Sequence, residues 1–191
     1  MAGRRLRWLV AGVFASGGAG LLTLTSMMNA AFVYGANDYA LIMGGNFNPE
    51  PDPGYVADVN TNYIEFLYPG YQSVGLTTPE QFWPVTGLTS LTFDQSVAQG
   101  VTDLNTAIMH PAPVGYAGDN LVVFGYSQSA TIATDEMRNL MASGNPDLGK
   151  LAFILVGDPN NPDGGILERF VGAYIPILNV YFNGATPPDT P

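Results

Sequence analysis

The chain has 191 residues, 47% of them hydrophobic and only 12% charged, a composition that fills one core and excludes a disordered or fibrous chain. Three of its six basic residues, Arg4, Arg5 and Arg7, stand at the extreme N-terminus, so beyond Asn37 three basic side chains face all sixteen acidic ones. That balance repels phosphate backbones and anionic headgroups and argues against nucleic-acid binding. The absence of cysteine excludes disulfides and thiolate chemistry, and a single histidine, His110, argues against a histidine-built metal site; no cofactor and no resident metal are expected.

From Trp8 to Asn37 no residue is charged. A basic cluster followed by an apolar run is the pattern of an export segment, and this one is long enough to cross a hydrocarbon core that needs about 20 residues. Residues 1–37 are therefore expected to be a signal peptide or an N-terminal membrane anchor, with cleavage and retention both open. The body, 38–191, is expected outside the cytoplasm, either secreted or held at the membrane.

Tyr39 to Met43 is a short apolar run ended by Gly44-Gly45-Asn46, which predicts a buried strand opening into a turn. The alternate prolines of Asn48 to Gly54 predict an extended loop, and Tyr63 to Tyr68, ended by Pro69-Gly70, reads as a second strand. Phe93, Val97, Val101, Leu104 and Ile108 recur at spacings of three and four, an amphipathic helix that ends near His110-Pro111. Leu121 to Phe124 has the all-apolar, β-branched character of a strand buried on both faces. A helix over Ser127 to Met141 follows, then a turn at Ser143 to Pro146, a strand at Leu151 to Val156, a turn-rich loop from Gly157 to Gly165, and one more strand within Ile177 to Phe182. Strand and helix alternate, which predicts a three-layer α/β domain with a mostly parallel sheet.

The sequence Gly125-Tyr126-Ser127-Gln128-Ser129, set between the strand and the helix, has the pattern of a nucleophile elbow. A serine hydroxyl attacks a carbonyl only when it is lifted clear of the backbone, given a base, and paired with donors for the developing oxyanion. The tight turn provides the lift, and it requires small residues two before and two after the nucleophile; Gly125 satisfies this, and Ser129, where glycine is commoner, adds one hydroxymethyl group at modest cost. The Gln128 N–H, at the start of the helix, is the first candidate oxyanion donor. Gly45 and Asn46, in the loop after the first strand, are candidates for the second.

The acid and the base are not evident. His110 precedes the nucleophile strand, so it belongs at the opposite edge of the sheet and reads as a helix-end residue. Asp158 ends the strand after the elbow helix, on the correct edge. It is a candidate acid, although its place in Gly157-Asp158-Pro159 equally fits a side chain that shapes a turn.

These residues resemble the PE-PPE-domain family, serine hydrolases related to cutinases and small lipases. The resemblance rests on Ala40 to Gly45, Val123 to Ala130, Gly157 to Asn160 and Phe182 to Pro187. It implies a cutinase-like α/β-hydrolase fold, with 38–191 a partial domain incomplete at its C-terminal side. It also implies esterase or lipase-type activity on acyl esters, or acyl transfer in envelope lipid synthesis, with Ser127 as nucleophile. Family members carry the triad Asp and His beyond the point matching Pro191 and have a PE or PPE leader where this chain has its export segment. The chain alone is then expected to show little activity, since losing a triad member costs several orders of magnitude. Two alternatives follow: an inactive truncated exported protein, or a partner chain that supplies Asp and His.

Overall fold

The computed structural model describes residues 37–110, 112–144 and 150–188. The segment expected to direct export, up to Ala36, and the Asn145-Pro146 part of the expected turn lie outside these residues. Among the described residues no helix is long and apolar enough to cross a membrane.

Four strands, β1 (Asp38–Ile42), β2 (Gln72–Gly75), β3 (Asn120–Tyr126) and β4 (Leu151–Val156), form one sheet in the order β2-β1-β3-β4, and every pairing in it is parallel. Parallel strands need covered faces, and the side chains alternate accordingly. Ala40, Ile42, Val122 and Phe124 point to one face, where Val59 and Ile64 meet them. Leu41, Met43, Leu121 and Val123 point to the other, against Phe93, Leu104, Ile132 and Leu140 of the helices α3 (Phe93–Met109) and α4 (Gln128–Ser143). The molecule is thus the three-layer α/β domain the alternation predicts.

Helix α3 starts at a capping box, in which Thr92 and Gln95 satisfy each other's backbone N–H groups, and its C-cap is His110, directly before Pro111, as the periodicity predicts. The stretch predicted as a strand from Tyr63 to Tyr68 is, by contrast, helical as far as Leu67. Helix α1 (Pro53–Val59) continues through a π-helical turn (Asn60–Ile64) into the short α2 (Glu65–Leu67), and the second strand lies beyond it at Gln72–Gly75. The buried residues Val59 and Ile64 are five apart, a spacing that hides the helical period. The π turn absorbs the extra residue, with the Glu65 N–H reaching the Asn60 carbonyl, so that both side chains face the sheet. The proline-rich loop also ends earlier than expected. Pro53 opens α1, where its missing N–H costs nothing, and Asp52 caps it by accepting from the Gly54 and Tyr55 N–H groups at 2.7 and 3.0 Å.

The last predicted strand is reduced to β6 (Val180–Tyr181), which pairs antiparallel with β5 (Tyr174–Ile175) in a two-stranded hairpin apart from the main sheet. A short helix, α5 (Ile166–Arg169), precedes it. In the main sheet the chain moves from β1 outward to β2 and then back across β1 to β3. The strand order therefore reverses between β1 and β3. The loops leaving their C-terminal ends part there, and the crevice between them is where an open α/β sheet receives ligands.

Candidate active site

Ser127 sits in that crevice. Its backbone is held at φ 58°, ψ −115°, a conformation outside the comfortable regions for an L-residue that costs about 1–3 kcal/mol and persists only where its surroundings enforce it. Here the sheet and the helix enforce it from both sides. The Ser127 N–H donates to the Val156 carbonyl at 3.0 Å, and the Ser127 carbonyl accepts from Ala130 at 3.1 Å. The requirement for a small residue at Gly125 is literal, because a Cβ there would lie 2.7 Å from the Ser129 carbonyl oxygen and 3.0 Å from Ala130 Cα.

Ser129 does more than fit. Its hydroxyl accepts from the Tyr126 N–H at 2.7 Å and donates to the Gly44 carbonyl at 2.5 Å. One side chain thereby ties the elbow after β3 to the loop after β1, across the two strands of the switch point. Glycine at this position could make neither bond, so the departure from the commoner elbow pattern was itself the signal.

The loop Gly44-Gly45-Asn46 lies beside the elbow. A Cβ on Gly45 would meet the Tyr126 ring at 2.8 Å, and the loop is closed by the Asn48 N–H to the Gly45 carbonyl at 2.8 Å. The N–H groups of Gly45 and Asn46 have no acceptor among the described residues. The Gln128 N–H belongs to the first turn of α4, where a helix leaves its donors open. The Gln128 side chain is fully buried and faces the other way. Its Nε2 donates to the Gln81 carbonyl at 2.7 Å, and its Oε1 accepts from the Ser96 hydroxyl at 2.9 Å, which in turn accepts from the Gln81 N–H at 2.9 Å. This closed circuit fixes the start of the helix, and the sequence pattern carried no sign of it. The predicted donors thus sit on two neighbouring segments, Gly45 and Asn46 on the loop after β1 and Gln128 at the start of α4, joined by the Ser129 bond to Gly44.

Ser127 and Asn46 open on a cavity of about 290 Å³ whose other walls are apolar, among them Phe82, Phe93, Leu167, Leu178 and Phe182. Asn46 Oδ1 is buried there without a partner. Behind the Gly44-Gly45-Asn46 loop lies an acidic group that sequence reading missed. Glu80, only 1% exposed, sits at φ 49°, its carbonyl accepts from Phe47, and its carboxyl takes one bond, from Thr78 at 2.8 Å, while Oε2 has none. Burial pushes its pKa up to about 8, against which the Thr78 bond acts only weakly.

His110 caps the C-terminal end of α3, its ring Nδ1 lying 3.2 Å from the Thr106 carbonyl. It belongs to the N-terminal edge of the sheet, the length of β3 away from Ser127, as its sequence position implies. Asp158 lies on the expected edge, and both of its oxygens are engaged, one in its own loop and one by the C-terminal segment. Oδ1 accepts from the Asn160 N–H and Oδ2 from the Thr186 hydroxyl, each at 2.8 Å. Asp158 thus shapes the loop that follows β4. Among the described residues neither a histidine nor a carboxylate bonds to Ser127, and no group of three or more His, Asp or Glu gathers as a metal site would.

Similarity to known proteins fits this geometry. The PE-PPE domain family matches residues 69–191. The chain is 48% identical over 155 residues to PE family protein PE3 of Mycobacterium tuberculosis, covering 80% of this chain and 32% of that one. It is 50% identical over 151 residues to Esterase PE16 of the same organism, covering 78% and 28%. It is 32% identical over 137 residues to SL1278 acyltransferase Chp1 of that organism, covering 70% and 30%. The chain therefore spans about a third or less of the length of these relatives. The family match over residues 69–191, together with these identities, places the chain in the PE-PPE domain family.

Proposed function

We propose that the protein is a serine ester hydrolase that works through an acyl-enzyme at Ser127. The observation that carries this reading is a strained serine, at φ 58°, that stands at the start of α4 and lines, with Asn46, an otherwise apolar cavity. In the reaction the Ser127 Oγ bonds to the ester carbonyl carbon and its proton passes to a base. The carbonyl oxygen becomes an oxyanion that the backbone donors stabilise, a contribution of about 3–4 kcal/mol per donor in well-built sites. Collapse breaks the bond to the alcohol, which leaves with a proton, and the acyl chain rests in the cavity until water releases it. The base and its acid come from outside the described residues, in a continuation of the chain or in a partner polypeptide. The basic and apolar N-terminal segment exports the chain, so the reaction takes place in the envelope or outside the cell.

The test is mass spectrometry of the full chain after incubation with a p-nitrophenyl ester. An acyl adduct on Ser127, absent from Ser127→Ala, is expected; no adduct on Ser127 would overturn the reading. Turnover should rise when the chain is mixed with the C-terminal part of a longer relative. Acyl transfer is the second reading, favoured by the 32% identity to an acyltransferase. An added alcohol that captures the acyl group in preference to water would select it.

A further inference from the structure

The two segments that carry the candidate oxyanion donors are joined a second time, from behind, by Glu80 and Gln81. The Glu80 carbonyl accepts from the Phe47 N–H at 3.3 Å, one residue beyond Asn46 on the loop after β1. The Gln81 carbonyl accepts from Gln128 Nε2 at 2.7 Å, at the start of α4. Consecutive carbonyls therefore hold one segment each, and a shift of this pair moves Gly45 and Asn46 relative to the Gln128 N–H.

The two ends of the pair are fastened unequally. Gln81 is tied twice more, by its N–H to the Ser96 hydroxyl at 2.9 Å and by its Oε1 to the Leu91 N–H at 2.7 Å. Glu80 stands at φ 49°, in the left-handed region that a non-glycine residue keeps only under constraint. Its carboxyl is 1% exposed and takes one bond, from the Thr78 hydroxyl, while Oε2 has no partner among the described residues. Thr78 belongs to the same seam, since its N–H donates to the Pro49 carbonyl at 3.1 Å. A neutral acid tolerates such a setting. A buried carboxylate with one hydrogen bond demands water or a cation, and among the described residues no cation acts on it.

We propose that Glu80 is a positioning residue for acylation of Ser127: as a neutral acid it seats the Glu80-Gln81 pair that keeps the loop after β1 in register with the start of α4, and as a carboxylate it releases that pair. The inference rests on the ester-hydrolase reading, which gives the two segments their role. Glu80 does not line the cavity at Ser127 and acts through the Phe47 N–H. Burial sets its midpoint at about 8. The titratable group that faces it is the Tyr55 phenol of α1, with Tyr126 and Tyr63 facing Tyr55 in turn. Burial first, then Tyr126, Glu80 and Tyr63, raise the Tyr55 pKa above the usual phenol value, so Tyr55 stays neutral while Glu80 titrates.

The test compares the full chain with Glu80→Gln, each incubated with a p-nitrophenyl ester between pH 6 and pH 9, the rate of adduct formation on Ser127 being read by mass spectrometry. The same ester and the same base act on both proteins, so the ratio of the two rates isolates Glu80. About a tenth of Glu80 is neutral at pH 9, and the ratio of parent to Glu80→Gln should fall about tenfold from pH 6 to pH 9. A ratio that stays constant overturns the proposal.

A second measurement needs no chemistry. In nitrogen-15 spectra of the parent the amide resonances of Asn46, Phe47 and Gln128 should move together with a midpoint of about 8, and in Glu80→Gln they should hold still. The Asn120 amide, at the other end of β3, should move in neither. Shifts confined to residues 78–81 overturn the proposal, and so does a simultaneous loss of all these resonances, Asn120 included, which would make the ionisation a global event. Adducts at a constant ratio sink this proposal alone. A shared titration of the three amides without any adduct supports the coupling and counts against the ester-hydrolase reading.

Discussion

Two regions face each other across the cavity at Ser127, and they are held by different means. On one side the elbow and the Gly44-Gly45-Asn46 loop are continuations of β3 and β1, anchored by ladder bonds such as Met43 N–H to the Phe124 carbonyl at 3.0 Å. On the other side the chain from Gly157 onward has left the sheet and is lashed down by side chains. Asn160 Nδ2 donates to Asn183 Oδ1 and to the Gly184 carbonyl, both at 2.6 Å, and the Arg138 guanidinium reaches the Gly184 and Ala185 carbonyls at 3.0 and 2.8 Å. Backbone ladders tolerate almost any side chain of the right size, whereas a lashing fails with the loss of one amide. The first region should therefore resist polar substitutions and fail on added volume, and the second should do the reverse.

The largest expected effect is a pH dependence that lies behind the first region. Glu80 is protonated in the folded chain up to a pKa of about 8, but once unfolded it ionises near the usual value of about 4.3. Between those values the folded state binds the extra proton, so stability is fully present below the unfolded pKa and is lost as pH rises through the folded one. The loss is on the order of 4 kcal/mol. Glu80→Gln keeps the shape and removes the charge, so its denaturant-unfolding free energy should fall less from pH 5 to pH 9 than that of the parent, the upward-shifted carboxyls of Asp94, Asp135 and Glu136 being common to both. Parallel profiles for the two proteins would mean that the carboxyl is solvated when folded.

Next in size is the lashing itself. Asn160→Ala removes a fully buried amide and strands the acceptors of Asn183 and Gly184, a loss of about 3 kcal/mol. Hydrogen exchange should accelerate at the Gly184 and Thr186 amides, which bond to the Leu167 and Asn160 carbonyls, and leave the Ser127 amide as slow as before. Faster exchange at Ser127 as well would erase the distinction between the two regions. Gly125→Ala probes the first region by volume. Its Cβ meets backbone atoms that cannot swing aside, and overpacking of this kind costs about 1–3 kcal/mol, which a denaturant titration would register together with slower acylation of Ser127.

The same contrast explains what could be read from the sequence. The run Leu121 to Phe124, the spacing of Phe93 to Ile108 and the small residue at Gly125 are consequences of burial and close approach, and these leave periodic or compositional marks. The edge on which Asp158 lies followed from strand order alone. Marks are absent where one extra residue is absorbed, as in the π turn between Val59 and Ile64, and the aromatic Tyr63 to Tyr68 then passes for a strand. They are absent again where individual amides and hydroxyls act at long range. Asn160 to Gly184, Ser96 to Gln128 and Asp158 to Thr186 join residues 24, 32 and 28 apart in the chain, with nothing in the local pattern at either end. Glu80 was hidden for a related reason, since its burial is set by the packing of a loop with no period.

Ser129 is the place where the two kinds of bonding meet, a side-chain bond that joins the elbow directly to the loop after β1, and it offers the finest test of the contrast. Ser129→Ala keeps the helix and the close approach at Gly125 but leaves the Tyr126 N–H and the Gly44 carbonyl without their common partner. The expected cost is about 1–2 kcal/mol. Because the rest of the elbow is held by the sheet, the fold should survive and the change should stay local. The Tyr126 amide should exchange faster, and formation of the acyl adduct on Ser127 should slow as the Gly45 and Asn46 donors drift from the Gln128 N–H. Ser129→Gly should add the lower helix propensity of glycine to the same loss, about 1 kcal/mol more in a helix interior and less in the first turn. If Ser129→Ala left both the exchange and the acylation rate unchanged, the hydroxyl would be a passenger, and the loop after β1 would owe its position to the Tyr126 ring against Gly45.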